Sequence, residues 1–473
     1  MCGFIITNRK ISDLDHINYY IQSRGPDATN TITRDGITFI HNLLSMTGEF
    51  TLQPFESDDV VCMYNGEVYN YAEFGDYPSD GYCMIPLYRE YGTDFVQKLD
   101  GEFCLILFDF KNKIIVLSTD VFGTKPLWMA VNGNDFGIAS YESALTRLGF
   151  VNIRQVEPNC TTVYDIKWKA ITKTPVFEFD LEQRKRTFDD WTIAFKEAIK
   201  KRWITSSQRA FIGLSSGYDS GAIHCELNQQ KVDYHAYSTV GSERVETLKK
   251  RHALIQSPSK GFIYSGTEED YKIAHKYIKD RVEDFKYKIY SSSSDYNEFG
   301  LSVHVDSGSN GLSKICSMAK DDNRRIYISG QGADEIFSDY GFNGKKKFHH
   351  SNFGGLFPDD LKEIFPWASF YGSSQRSFLM KEEYVAGAYG IEARYPYLDK
   401  FVVQEFLWLH PKLKNSKYKS VLHNYLKEHN YPFNEGEKIG FKLVTSVLSK
   451  RTRLKQMLRR ILAEHWCKLI KKL

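Results

Sequence analysis

The sequence predicts a two-domain protein of mixed α/β and α+β class, with an antiparallel, turn-rich N-terminal region and a parallel-sheet C-terminal region. Three observations carry this. Residues 1–165 alternate short β-rich runs with turns. Residues 166–186 switch to Lys, Glu and Asp set among single aromatics, the composition of a connection between domains. From 187 onward strand-like and helix-like segments alternate, which implies βαβ units and a parallel sheet with helices on both faces.

The composition agrees. The chain has 473 residues, 15% of them aromatic, enough for large cores and too apolar for disorder over most of its length. A net charge of +3 announces neither a specific nucleic-acid partner nor a membrane. Eight cysteines are scattered without a C-x-x-C pair, so disulfide scaffolds and zinc ribbons are excluded. Their reading is reduced, mostly buried thiols in a cytoplasmic protein. No run approaches 18 apolar residues, and the N-terminus does not read as a secretory signal.

Taken in order, strands are predicted at Gly3–Thr7, Ile37–His41, Val60–Tyr64, Phe103–Asp109, Ile114–Ser118 and Thr161–Tyr164. Helices are predicted at Ile85–Tyr91 and Tyr141–Leu148. After the connection come a helix from Phe188 to about Arg202, strand Ala210–Leu214, helix Asp219–Asn228 and strand Tyr234–Thr239. Helix Glu243–His252, strand Arg325–Ser329 and a helical region over 360–430 follow. The tail 450–473 carries nine Lys/Arg against one Glu and reads as a basic amphipathic helix. Such a helix is open to a membrane surface or an acidic partner, although a solvated helix on the domain surface is the plainer reading.

Cys2 is the first chemical feature. Removal of Met1 would leave a thiol beside its own α-amine, whose reference pKa lies near neutrality, so the nucleophile carries its own base. Downstream come Arg24-Gly25-Pro26-Asp27, Asn65-Gly66-Glu67, Leu99-Asp100-Gly101-Glu102 and Asp120-Val121-Phe122-Gly123. Each alone is an ordinary turn. Together, in this order, residues 2–165 closely resemble the glutaminase domain of class II glutamine amidotransferases. The resemblance implies an N-terminal-nucleophile αββα sandwich. It also implies that Cys2 attacks the side-chain amide of glutamine, with Asn65 and the Gly66 N–H as oxyanion hole. Arg24, Asn65, Glu67 and Asp80 would form the glutamine pocket. Leu43 departs from the pattern, standing where the family's arginine grips the glutamine carboxylate. Weak glutamine binding, compensation by Arg24 and a different amide donor are all open.

In the C-terminal region the apolar strand 210–214 runs into Ser215-Ser216-Gly217-Tyr218-Asp219-Ser220 and then a helix. Small residues at a helix N-terminus suit a phosphate. The ending lacks the Lys-Ser/Thr of a Walker loop. A second loop, Ser329-Gly330-Gln331-Gly332-Ala333-Asp334-Glu335, follows the strand 325–329. Mg²⁺ takes one or two carboxylates with phosphate oxygens, and Asp219 and Asp334 are the candidates.

With Glu392-Ala393-Arg394-Tyr395-Pro396-Tyr397-Leu398-Asp399 and Glu437-Lys438-Ile439-Gly440-Phe441, residues 187–449 resemble an ATP-pyrophosphatase-type synthetase domain. The two regions together resemble the glutamine-hydrolysing asparagine synthetase family. That implies ATP and Mg²⁺, with Leu214, Ser215, Gly217, Asp219, Ser220, Gly330 and Lys438 around the polyphosphate. A carboxylate would be activated as acyl-AMP and amidated by ammonia. Lys438 would stabilise the adenylation transition state. Aspartate is the family's usual acceptor. A sugar acid or natural-product precursor is the alternative, because Gln331 replaces the usual acid and 306–312 offers no cation. A non-enzymatic descendant is a further class, against which the joint presence of Cys2, Asn65, Asp80, Asp219, Asp334 and Lys438 argues. A homodimer is also open.

Overall fold

The computed structural model describes residues 2–204, 206–290, 300–437 and 443. The N-terminal region stacks a pair of six-stranded antiparallel sheets face to face. One runs in the order Arg154–Gln155, Trp128–Asn132, Asp135–Ala139, Gly3–Thr7, Ile37–Leu43 and Ala28–Arg34. The other runs Ala170–Thr174, Thr161–Asp165, Ile114–Thr119, Gly101–Asp109, Val60–Val68 and Phe55–Glu56. The period-2 pattern explains the stacking. Phe4, Ile6 and Phe39 of one sheet meet Val61, Met63, Ile106 and Phe108 of the other, while Ile5 and Ile40 point to the outer faces. Helices Leu14–Asn18 and Glu142–Arg147 cover one outer face and Met84–Tyr91 the other, completing four layers.

This sheet system runs past the boundary expected at 165. Ala170–Thr174 pairs antiparallel with Thr161–Asp165. The connection is docked as well: Phe177 and Phe179 pack on Phe401 and Phe370, and Lys185 bridges to Leu409. Charged residues in 166–186 alternate because one side of the segment faces solvent, and the single aromatics face the C-terminal region.

The C-terminal region is built on a five-stranded sheet in the order Lys260–Tyr264, Tyr234–Thr239, Ala210–Gly213, Ile326–Ile328, Glu392–Arg394, parallel at every pairing. From Ala210–Gly213 the chain winds outward through Tyr234–Thr239, then returns to Ile326–Ile328 on the other side. The switch in direction opens a crevice beyond the carboxyl ends of Ala210–Gly213 and Ile326–Ile328. The predicted loops 215–220 and 329–335 both start there. Strand Glu392–Arg394 lies inside the region expected to be helical, and three residues are too few to show a period. Helices Ser373–Gly387, Lys400–Trp408 and Ser420–Glu428 surround it as expected. Among the described residues no helix is long and apolar enough to cross a membrane. The seven described cysteines are free and buried. The tail 450–473 lies outside the described residues.

The two regions are joined by buried ion pairs. Glu383 of the C-terminal region takes Arg24 at 2.9 Å and Lys125 at 3.0 Å from the N-terminal one, all three fully buried. Reciprocally, Glu102 of the N-terminal region takes Arg202 of the C-terminal one at 2.8 Å, and Arg202 also pairs with Asp399 at 2.9 Å. Arg394 reaches Glu67 at 3.2 Å, and Lys201 bridges Asp100 and Asp399, each at 2.5 Å. The Lys201 and Arg202 charges hold the Asp399 carboxyl well below the usual carboxylate range, against burial. Removing one member leaves its partners charged and dry, a loss of about 3–5 kcal/mol. Glu383→Ala is therefore expected to lower unfolding free energy by about that amount in urea titrations. Glu157→Ala, which breaks only the exposed pair with Lys173, is expected to cost less than about 1 kcal/mol.

Candidate functional site

Cys2 immediately precedes the strand Gly3–Thr7 in the middle of its sheet and is itself buried. Its main-chain nitrogen donates to Asn65 Oδ1 at 2.8 Å, and its Sγ lies 3.7 Å from the Leu44 carbonyl. Burial pushes the thiol up to about 11, so a base must take its proton before it can attack. Asn65 stands on Val60–Val68 on the same inward face as Val61 and Met63, fully buried. With Oδ1 committed to Cys2, its Nδ2 has no hydrogen-bond partner among the described residues. Buried donors are rarely left so, and this one belongs to the side chain that holds the Cys2 nitrogen. Gly66 follows at φ 138°, and a Cβ there would come within 1.9 Å of the Glu102 carbonyl on the adjacent strand.

The predicted pocket acids cluster here. Asp80 accepts from Tyr64 Oη at 2.5 Å and from the Val68 N–H at 2.9 Å, and burial pushes its carboxyl up to about 6. Glu67 accepts from Thr47 Oγ1 at 2.6 Å and faces Arg394. Burial raises its carboxyl while the Arg394 charge opposes the shift. Leu43 is buried at the end of its strand, one residue before the carbonyl that faces Cys2 Sγ.

Arg24 does not fit the compensating role open to it. Nε donates to the Cys2 carbonyl at 3.1 Å, Nη1 to Tyr141 Oη and the Glu383 carbonyl, and Nη2 to Glu383 Oε2. With every nitrogen taken, it braces the nucleophile and docks the C-terminal region instead of facing a ligand.

In the switch-point crevice, loop 215–220 is folded on itself. The Ser215 N–H donates to Ser220 Oγ at 2.9 Å and the Gly217 N–H to Ser215 Oγ at 3.1 Å. Leu214 anchors the strand end through Tyr237 and Ser238. Two residues missed in the sequence hold the loop from behind. Arg251 Nη1 donates to the Ser215 and Gly217 carbonyls, and Glu243 accepts from the Ser216 N–H at 2.6 Å and from its hydroxyl. That second bond is one that a glycine at 216 would lack. Gly330 packs directly on Asp219, where a Cβ would lie 3.0 Å from the Asp219 Cβ.

The structure brings Asp219 and Asp334 together around a third missed residue. Lys419 Nζ lies 2.5 Å from Asp219 Oδ1 and 2.7 Å from Asp334 Oδ1. Lys419 is 2% exposed and held in the left-handed region at φ 49°, at the start of helix Ser420–Glu428. In the sequence it is one of several lysines in a charged turn, and only the fold sets it apart. Lys438 lies outside the described residues. The chain leading to it is strapped to the loop: Gly436 N–H donates to Tyr218 Oη at 2.9 Å, and Glu437 pairs with Arg244 at 3.0 Å.

Segment 306–312 opens helix Ser307–Asp321, with Asp306 as its cap through the Gly308 and Ser309 N–H groups. The Gln331 N–H donates to Ser329 Oγ at 3.0 Å, while its Nε2 is buried without a partner among the described residues. Ser329 in turn donates to Glu382, a fourth residue missed in the sequence, whose carboxyl burial pushes up to about 7.

Residues 1–179 match the glutamine amidotransferase domain family. A Methanocaldococcus jannaschii protein bearing the name of a glutamine-hydrolysing asparagine synthetase is 24% identical over 78% of this chain and 68% of its own length. Human glutamine-hydrolysing asparagine synthetase is 22% identical over 84% of this chain and 74% of its own. Over most of its length the chain is similar to proteins named glutamine-hydrolysing asparagine synthetases. Among solved structures, the allosteric regulatory enzyme of purine biosynthesis overlaps 56% of this chain and 80% of that one, with a TM-score of 0.32 and 13% identity.

The strand pair carrying Asn65 tolerates no side chain at the next position. Gly66→Ala is expected to lose about 2 kcal/mol or more of stability in urea unfolding, because the adjacent strand must shift. An unchanged midpoint would show that the strands have slack.

Proposed function

We propose that the protein is an ATP-dependent amidotransferase that hydrolyses glutamine and transfers the ammonia to a carboxylate activated as acyl-AMP. Its main support is the buried Asn65 Nδ2, without a partner among the described residues, on the side chain whose Oδ1 holds the Cys2 nitrogen, in a region clamped by buried ion pairs to a second, phosphate-type site. After Met1 removal the Cys2 amine takes the thiol proton, and Sγ attacks the side-chain amide carbonyl. Asn65 Nδ2 and the Gly66 N–H receive the negative charge on oxygen, and the protonated amide nitrogen leaves as ammonia. Water then releases glutamate from the sulfur. Asp80 and Glu67 hold the α-ammonium of the donor.

At the switch point, loop 215–220 and Gly330 cradle the polyphosphate at the start of helix Tyr218–Gln229. Asp219 and Asp334 already share one cationic centre, the Lys419 ammonium, and this fits them to a Mg²⁺ ion. Bound there, Mg²⁺ supplies charge neutralisation for the phosphate oxygens. Lys438, one residue beyond the strap at Glu437, is the candidate for stabilising departing pyrophosphate. Aspartate is the first acceptor to test, by resemblance to relatives named asparagine synthetases.

Cys2→Ala is expected to abolish glutamine-supported synthesis and to leave synthesis from ammonium salts. Asn65→Ala is expected to lower glutamine hydrolysis about 10²–10³-fold. Glutamine-supported synthesis persisting in Cys2→Ala would remove the nucleophile assignment. For the second site, ATP–pyrophosphate exchange is expected to depend on aspartate in a panel of carboxylates. Exchange with a different acid alone would move the acceptor, and exchange with none would remove the ligase reading.

A further inference from the structure

Lys419 is the group that the proposed chemistry leaves without a role. Its ammonium is buried, comes from a different segment than either aspartate, and sits within 2.7 Å of both carboxylates. Its backbone is held in a conformation unusual for a non-glycine residue, which fixes the start of the side chain. The Tyr418 hydroxyl also faces Asp334, at 3.3 Å, and Tyr397 Oη donates to the Asp219 carbonyl at 2.7 Å, so both acids are fixed from several sides.

We propose that Lys419 is a built-in counter-ion, holding the place between Asp219 and Asp334 so that the site takes a divalent cation only together with a polyphosphate. The inference rests on the ATP reading given above. Its physics is an exchange of partners. Among the described residues, two carboxylates share this one ammonium. A free divalent ion would compete with a buried ammonium for the same oxygens and would strand that ammonium among dry groups. A polyphosphate arriving with the metal gives the ammonium new anionic partners, so the metal gains the carboxylates without an unpaired charge being left behind. Lys419 is then a positioning residue that couples metal and nucleotide binding.

The test uses the full chain and Mn²⁺ as the probe, with bound metal read by electron paramagnetic resonance, alone and with the non-hydrolysable analogue α,β-methylene ATP. Wild-type protein is expected to bind Mn²⁺ at least tenfold more tightly with the analogue than without it. Lys419→Met is expected to bind free Mn²⁺ at least tenfold more tightly than wild type. It is also expected to melt at a lower temperature without metal and to regain the loss when Mn²⁺ is added. Lys419→Arg, which keeps the charge, is expected to retain the dependence on the analogue.

Tight binding of free Mn²⁺ by the wild type would overturn the proposal, and that measurement needs no variant to fold. A folded Lys419→Met with unchanged affinity for free Mn²⁺ would overturn it as well. If the analogue fails to bind while Lys419→Met still gains Mn²⁺ affinity, the ATP reading falls and the counter-ion role of Lys419 stands.

Discussion

The buried ion pairs between the two regions are the constraint on which the rest of the structure depends. Glu383 gathers Arg24 and Lys125, while Glu102 gathers Arg202, so each region offers both an acid and bases to the other. Desolvating such charges is unfavourable, and the pairing is stable only when every partner is in place. That makes the interface nearly all-or-none. Arg24 carries the constraint straight into the first site, since the guanidinium that binds Glu383 also holds the Cys2 carbonyl. The placement of the sulfur therefore depends on the C-terminal region being docked.

The same logic links the second site to the interface. Strand Glu392–Arg394 lies at one edge of the parallel sheet, and Arg394 pairs with Glu67 of the first site. The adjacent strand, Ile326–Ile328, leads directly into Ser329, Gly330 and the loop that carries Asp334. One short strand thus separates the acids beside Cys2 from the crevice at the switch point. Under the proposed function, ammonia made at the first site and used at the second would cross an interface whose ion pairs are themselves buried.

Much of this is legible in the sequence. Alternation at Phe4, Ile6, Phe39 and Val61 sets the inward faces, and Gly/Ser loops after apolar strands mark the crevice. Cys2, Asn65 and Asp80 come together, as do Asp219 and Asp334. What stays hidden shares one physical cause: its meaning depends on partners far away in the chain. Lys419 looks like any lysine of a charged turn until two aspartates from other segments surround it. Arg251 and Glu243 lie in or next to an ordinary amphipathic helix, and Glu382 is one of two adjacent glutamates with opposite destinations. Strand Glu392–Arg394 is too short for any periodicity, and Ala170–Thr174 is an exposed edge whose polar residues resemble a linker. Arg24 misleads because a motif arginine beside a pocket suggests ligand contact, whereas its bonds go to the nucleophile strand and Glu383.

Under the proposed function, the two sites work as one across the ion-paired interface. The isotopic origin of the nitrogen in the amide product reports on this coupling. The protein would be supplied with glutamine labelled with ¹⁵N in its side-chain amide, in a buffer containing an excess of unlabelled ammonium, with ATP, Mg²⁺ and the acid that supports pyrophosphate exchange. The product amide is expected to be almost entirely ¹⁵N, because ammonia would pass between the sites without mixing with the bulk. A product carrying mainly unlabelled nitrogen would show that the two sites are not coupled.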